Sequence, residues 1–152
     1  MKIEVLVSTM NQEDNRKLLE NMNIKNNYVV INQLVKENIN KPQNVVEDTK
    51  KFLSYKERGL SKSRNRAIKN SNADVCVIAD DDMVYCDNYE KIISNAYKKY
   101  EDADIIAFVV EHEDKTKEKK ILKEGRVHFL KSMKISSVQI TFKRESIIKK
   151  RN

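Results

Sequence analysis

Three consecutive aspartates, Asp80, Asp81 and Asp82, directly follow the apolar run 75–79. An apolar run that is continuous rather than alternating predicts a strand buried on both faces, so its end would present three carboxylates at one edge of a sheet. Adjacent carboxylates repel one another, and a cation among them relieves that repulsion. Mg²⁺ and Mn²⁺ prefer hard oxygen ligands and commonly bridge one or two carboxylates to a substrate's phosphates. The triplet therefore predicts a divalent metal site, with an acidic loop that caps the next helix as the alternative.

A second candidate for chemistry is Arg64. It shares one side of a predicted helix with three apolar residues, Leu60, Ala67 and Ile68. A charged side chain in such a stripe needs an anion, because an unpaired buried charge is costly. One of the aspartates could supply it as an ion pair, or a phosphate could lie at the helix N-terminus, where free amides favour anions. The neighbouring Asn65 is a candidate hydrogen-bonding side chain, with simple surface exposure as its alternative.

The elements that would position these residues alternate between strands and helices. The apolar pattern predicts strands at 3–7, 28–31, 52–54, 74–79 and 105–110, and helices at about 13–22, 61–70 and 87–100. This alternation predicts an α/β fold with a mostly parallel sheet covered on both faces. Ligands of such sheets bind beyond the carboxyl ends of the strands. The turn 8–11 and the aspartates would both lie at such ends and would line one crevice.

Side-chain patterns predict how the helices begin and what they bury. Ser61 is the expected N-cap of the second helix, and Asp87 with Glu90 the expected capping box of the third. Apolar stripes expected to face the core are Leu18, Leu19 and Met22 in the first helix, and Tyr89, Ile92, Ile93, Ala96, Tyr97 and Tyr100 in the third. The polar stretch 32–44, which contains Pro42, is expected to be irregular.

The pattern changes after residue 110. Residues 111–120 form a charged loop, and alternation at Val127/Phe129 and at Val138/Ile140/Phe142 predicts antiparallel strands with one solvated face. We therefore expect a core at 1–110 and an added subregion at 111–152, both within one domain.

Composition narrows the class of protein. The chain has 152 residues, of which 35% are charged and 39% apolar, which fits one folded α/β domain. It shows no apolar segment of membrane length, and Cys76 and Cys86 form no disulfide or zinc pattern. We expect no secretory leader, because the first residues do not have the pattern of one. His112 and His128 are isolated. We expect a cytoplasmic protein with reduced thiols.

The formal net charge of +7 is concentrated in the basic stretch 115–134 and in the tail 149–151. A solvated lysine-rich surface explains such a distribution, as does attraction to an anionic membrane surface or to a charged acceptor. The main alternative function is a basic nucleic-acid-binding module, but aromatic residues are not regularly interleaved with the basic runs. A phosphotransferase is another possibility, although the chain has no Gly-x-x-x-x-Gly-Lys loop.

Two motifs resemble the core of the family 2 glycosyltransferases. They are the segment 59–68, Gly-Leu-Ser-Lys-Ser-Arg-Asn-Arg-Ala-Ile, and the segment 79–82, Ala-Asp-Asp-Asp. The turn 8–11, Ser-Thr-Met-Asn, is similar to that family's first nucleotide-contacting turn. The resemblance spans about residues 1–110 and implies a GT-A fold that transfers a sugar from a nucleotide diphosphate donor to an acceptor.

By position, the resemblance implies a role for each motif residue. Asp80 would contact the donor's ribose and, with Asp82, hold Mn²⁺ or Mg²⁺ on the diphosphate, whereas Asp81 would act locally or through water. The remaining residues would lie beside the nucleotide, Thr9 and Asn11 along the base and Arg64 and Asn65 as the family's Arg-Asn pair.

The chain also departs from the family pattern. Its second strand ends Ile31-Asn32-Gln33, whereas many family members end this strand with a sequence like Asp-Asp-Gly-Ser, whose aspartate contacts the base. The sequence therefore does not specify the base, and UDP is expected because it is the family's usual nucleotide. Residues 136–144 look like the strand that begins the acceptor half, but no carboxylate pair follows to act as catalytic base. The expectation is a truncated or minimal glycosyltransferase of bacterial surface polysaccharide assembly. Its acceptor would be a saccharide or a lipid-linked one, reached from the inner face of the membrane, and its carboxy-terminal edge could self-associate.

Overall fold

The computed structural model describes residues 1–40, 42–111, 124–128 and 132–148. Its strands are β1 (Ile3–Met10), β2 (Tyr28–Gln33), β3 (Val45–Val46), β4 (Lys50–Tyr55), β5 (Val75–Asp80), β6 (Ile105–Ala107) and β7 (Ile140–Lys143). Its helices are α1 (Asn15–Asn21), α2 (Leu60–Asn70), α3 (Tyr89–Lys99) and α4 (Arg144–Ile148), with a 3₁₀ turn at Ser137–Gln139.

Within these ranges the strands form one seven-stranded sheet in the order β3-β4-β2-β1-β5-β7-β6. The four central strands β4, β2, β1 and β5 run parallel. β7 is antiparallel to both β5 and β6, and β3 is antiparallel to β4. The prediction of a mostly parallel α/β sheet with an antiparallel addition near the carboxyl terminus is therefore confirmed.

Helices cover both faces of the sheet because β1 is apolar on both of its sides. Val5 and Val7 pack in a core with the α1 and α3 side chains, whereas Leu6 packs on the other face with Ala67 of α2. The predicted α1 stripe is fully buried. In α3 the stripe holds only in part, because Ile93 and Tyr97 are buried while Ile92 is 44% exposed.

Both predicted helix caps are wrong. The N-cap of α2 is Gly59, at a φ of 129°, two residues before the expected Ser61, so Ser61 lies exposed inside the first turn. α3 has Asn88 as its N-cap, and no capping side-chain bond is found there in the described residues. Asp87 instead accepts hydrogen bonds from the Asn23 amide and the Lys25 ammonium group, at 3.0 and 3.1 Å. Tertiary partners thus displace the local caps.

The region after residue 103 is also less regular than predicted. The expected buried strand 105–110 is only the three-residue edge strand β6, in which Ile105 is 53% exposed. Val127 lies outside any strand, and Phe129 and residues 112–120 lie outside the described ranges. The short strand β3 was not predicted at all. In the described part of the chain, every helix is too short or too polar to span a membrane.

Candidate functional site

The candidate site lies where β1 and β5 end side by side. In their parallel pairing Ser8 lies opposite Asp80, so the end of β1 and the three aspartates meet at one edge of the sheet, as predicted. The predicted turn 8–11 is wrong in its bounds, because β1 continues through Met10 in its pairing with β2. Neighbouring residues of a strand point to opposite faces. Asp80 therefore faces the α2 side of the sheet, and Asp81 continues toward the other side.

Arg64 reaches Asp80 from α2. Its Nη2 donates to Asp80 Oδ1 at 3.0 Å, with side-chain exposures of 21% and 39%. Of the two partners expected for this arginine, an aspartate is present. Arg64 Nε is buried and has no hydrogen-bond partner among the described residues. The guanidinium group therefore keeps an unused donor near the strand end.

Asp81 is held on the opposite face by Thr9. The Thr9 hydroxyl donates to Asp81 Oδ2 at 2.6 Å, a length typical of a bond to an ionised carboxylate. Thr9 is 5% exposed, whereas Asp81 is exposed. This contact ties Asp81 to the end of β1. The predicted position of Thr9 along a nucleotide base stays a prediction.

Ser8 and Ser63 form a further contact that the sequence did not suggest. Their hydroxyl groups lie 2.9 Å apart and both residues are buried, which fastens α2 to β1 directly beside Arg64. The sequence feature that could have predicted this contact is the spacing of Ser63 and Ala67 on the helix. Two small residues four positions apart lie on the same face and allow a neighbouring strand to approach closely.

Asp82 differs from its two neighbours. It is exposed and makes no hydrogen bond or ion pair within the described ranges. Nowhere in those ranges do three or more acidic, histidine or cysteine side chains form a metal-binding group. One free carboxylate and the remaining oxygen of Asp80 do fit a cation that takes its other ligands from a substrate's phosphates and water.

The turn after β1 supports the loop that follows β2. Asn11 has a left-handed φ of 54°, and its side-chain oxygen accepts from the Val35 and Lys36 amides at 2.9 and 3.0 Å. This oxygen is therefore committed to the loop. Asn11 was predicted to lie along the base, and that prediction is not tested. Asn65, the remaining predicted contact, is half-buried on α2.

The two residues that end β2 are also satisfied internally. Asn32 is fully buried and exchanges hydrogen bonds with the backbone of Gln12, both at 3.0 Å. Gln33 donates to the Gly59 carbonyl at 3.1 Å and accepts from the Gly59 amide at 3.3 Å. It thereby secures the turn that precedes α2.

A cavity of about 730 Å³ opens at the same edge, beyond the ends of β2 and β4. Its charged lining residues are Lys36, Glu37, Lys56, Glu57 and Arg58. Glu57 accepts two hydrogen bonds from the Arg66 guanidinium group, at 2.7 and 2.8 Å, and this contact lowers its pKa. The remaining charges of the cavity are therefore net positive.

Tyr85 lies close to the aspartates. Its hydroxyl group is buried without a hydrogen-bond partner among the described residues. Burial, and then the charge of Asp80, raises the pKa of this tyrosine, so the group stays protonated and can donate. Sequence reasoning did not single it out, because the burial of its hydroxyl group depends on the fold. In the folded chain its ring packs against Tyr89, with the centroids 4.8 Å apart.

The fold is consistent with the GT-A fold. It is a mixed seven-stranded sheet flanked by helices, with charged side chains at the ends of its parallel strands. The sequence model of Glycosyl transferase family 2 matches residues 43–148, well over half of the chain. The chain belongs to this family. The matched region contains α2, the aspartates and β7, whereas Thr9 and Asn11 precede it. A search of curated proteins gives no match.

Proposed function

We propose that the chain binds a nucleoside diphosphate sugar together with Mn²⁺ or Mg²⁺ at the ends of β1 and β5, and donates the sugar to an acceptor. Membership of the family supports glycosyl transfer in general. The observation that carries the finer proposal is the placement of Asp82 beside the Arg64–Asp80 pair, since this carboxylate has no hydrogen-bond or ion-pair partner among the described residues. Opposite charges at this edge suit a cation and a diphosphate bound together.

Each side chain would have a separate task. Asp82 and the second oxygen of Asp80 would hold the cation, which, when bound, supplies Lewis-acid stabilisation of the departing diphosphate. The Arg64 guanidinium group, whose side chain is 21% exposed, would offset the negative charge of the diphosphate, since such a group presents several donors in one plane. We assign no described residue as the base that accepts the acceptor's proton.

The cavity beside β2 and β4 suits the nucleoside end of the donor. These strands lie two and three positions from β5. With about 4.8 Å between neighbouring strands, the cavity lies roughly 10–15 Å from the aspartates, the length of an extended nucleoside diphosphate. Its cationic side chains favour a base rich in carbonyl oxygens. UDP is therefore the first nucleotide to test.

The acceptor side of the proposal is broader. A saccharide or lipid-linked acceptor of surface polysaccharide assembly would fit a protein that works at the inner face of a membrane, because its basic stretches would be attracted to anionic lipids. Self-association through the exposed edge at β6 also belongs to this proposal.

Isothermal titration calorimetry with UDP, with and without Mn²⁺, tests the donor site. We expect Mn²⁺-dependent binding that Asp82→Asn weakens about 10- to 100-fold, because a contact to a charged group is lost. Asp48→Asn is the matched control. This carboxylate is 83% exposed and lies before β4, at the amino-terminal ends of the parallel strands and so away from the site. Absence of UDP binding by the unaltered chain, or equal binding by Asp82→Asn, would refute the proposal.

A further inference from the structure

Two adjacent hydroxyl groups at the end of β1 hold the charged residues of the site from opposite faces of the sheet. Ser8 and Thr9 are 8% and 5% exposed, so both residues are buried. Since neighbouring side chains alternate along a strand, Ser8 points toward α2 and Thr9 away from it. Each hydroxyl meets a partner on its own face.

On the α2 face the partner is Ser63, at 2.9 Å between the hydroxyl oxygens. Ser63 is 1% exposed and immediately precedes Arg64. The contact therefore fixes how far α2 lies from β1. That distance in turn sets whether the Arg64 guanidinium group reaches Asp80, which Ser8 faces across the strand pair.

On the other face the partner is Asp81, at 2.6 Å from the Thr9 hydroxyl. Asp81 lies in the turn that leaves β5, and the Met83 amide closes this turn by donating to the Asp80 carbonyl at 3.3 Å. Holding Asp81 against β1 fixes the direction of the turn, and with it the direction of Asp82.

We propose that Thr9 and Ser8 are positioning residues of the donor site. Thr9 acts through Asp81 to aim Asp82, and Ser8 acts through Ser63 to place Arg64. The donor-site role of these two residues rests on the proposed function. The positioning of Asp82 and Arg64 by Thr9 and Ser8 does not depend on any ligand. It differs from a direct contact between Thr9 and a nucleotide base, because the Thr9 hydroxyl already has an acceptor.

The ligand-free test is amide hydrogen exchange followed by NMR. Thr9→Val keeps the side-chain shape and removes the hydroxyl, so we expect the Met83 amide to exchange about tenfold faster while amides of β2 and β4 keep their rates. Thr9→Ser restores the hydroxyl and should restore slow exchange. The matched control is Thr49→Val, because this residue lies just before β4, at the amino-terminal ends of the parallel strands and so away from the site. Unchanged Met83 exchange in Thr9→Val would overturn the inference, whatever the protein binds.

The second test is Mn²⁺-dependent UDP affinity in a double-mutant cycle. Thr9→Val should weaken binding about tenfold in the unaltered chain and have almost no further effect in Asp81→Ala, since Thr9 would act only through that carboxylate. An equal loss in both backgrounds would show that Thr9 contacts the nucleotide directly and would overturn positioning. If the unaltered chain does not bind UDP, the proposed function fails, while the exchange test still decides the inference.

Discussion

The parallel half of the sheet and its antiparallel edge are built in different ways. β1, β2, β4 and β5 carry nearly all the fully buried side chains, including Val5, Val30 and Phe52 at 0% exposure. At the edge, β6 has only three residues and two of them are exposed. The candidate donor site rests on the half with the dense core, so its geometry is set by packing. The edge has much less apolar burial to stabilise it.

The two regions also use polar side chains differently. In the parallel half, Ser8, Thr9, Asn32 and Gln33 are all buried and all bonded within the chain. Near the edge, ion pairs such as Arg126–Asp102 are formed by exposed side chains, and such pairs contribute little to stability. Internal bonding before any ligand arrives is what a preorganised site requires.

The largest expected difference between the two regions is the loss of stability when an apolar side chain is truncated to alanine. Phe52→Ala in β4 should lower the free energy of unfolding by about 3–5 kcal/mol, because it leaves a cavity in a fully buried cluster. Ile105→Ala at the edge should change it by about 0.5 kcal/mol, since this side chain is half exposed. Urea unfolding of both variants measures the difference. Similar losses would mean that the edge is as well packed as the centre.

A pH effect should separate the two cysteines. Burial raises the pKa of the Cys76 thiol to about 11, and its contact with Ser71 offsets only part of this. The unfolded chain loses the thiol proton near its ordinary pKa while the folded chain keeps it, so stability falls as the pH rises. Between pH 8 and 10 the expected loss is about 1–2 kcal/mol.

Denaturation at several pH values measures this slope in two alanine variants. Cys76→Ala should remove it below about pH 9, where tyrosine hydroxyl groups still keep their protons. Cys86→Ala should leave it in place, because that thiol is exposed. A slope that survives below about pH 9 in Cys76→Ala would assign the effect to other groups.

The smallest effect is expected where the two regions join. The Tyr97 hydroxyl lies 3.0 Å from Thr141 Oγ1, and Thr141 donates to the Ile106 carbonyl, so this chain of bonds links α3 to β7 and β6. Tyr97→Phe should cost about 1 kcal/mol, because the bond is buried. Tyr89→Phe is the control, since among the described residues its hydroxyl makes a single, long 3.4 Å contact with Glu90. A loss no larger than that of the control would indicate that the edge is held by backbone pairing alone.

Sequence reasoning was most successful where the signal was local. The aspartates and the Arg64 stripe were found from strand and helix periodicity, and both lie where predicted. The bonds Ser8–Ser63 and Thr9–Asp81 join residues 55 and 72 positions apart. They depend on how β1 is paired with β5 and packed against α2, which no short window of sequence contains.

The wrong predictions share one physical cause. Ser61 and Asp87 are good capping residues by type, but Gly59 adopts a left-handed φ that starts α2 earlier, and Asp87 has partners in the α1–β2 connection. The apolar run 105–110 predicts a buried strand, because composition alone does not distinguish an edge strand from a central one. In each case tertiary packing outweighed a local preference.

The pairing of Ser8 with Asp80 implies that this site would be far more sensitive to insertions and deletions than to substitutions. Adding or deleting one residue within β1 or β5 would turn every later side chain of that strand to the other face. The first aspartate would then leave its arginine and the second would leave its threonine, although every residue type was still present. Relatives with an altered strand length here should therefore have lost the site, even where the aspartate motif is intact.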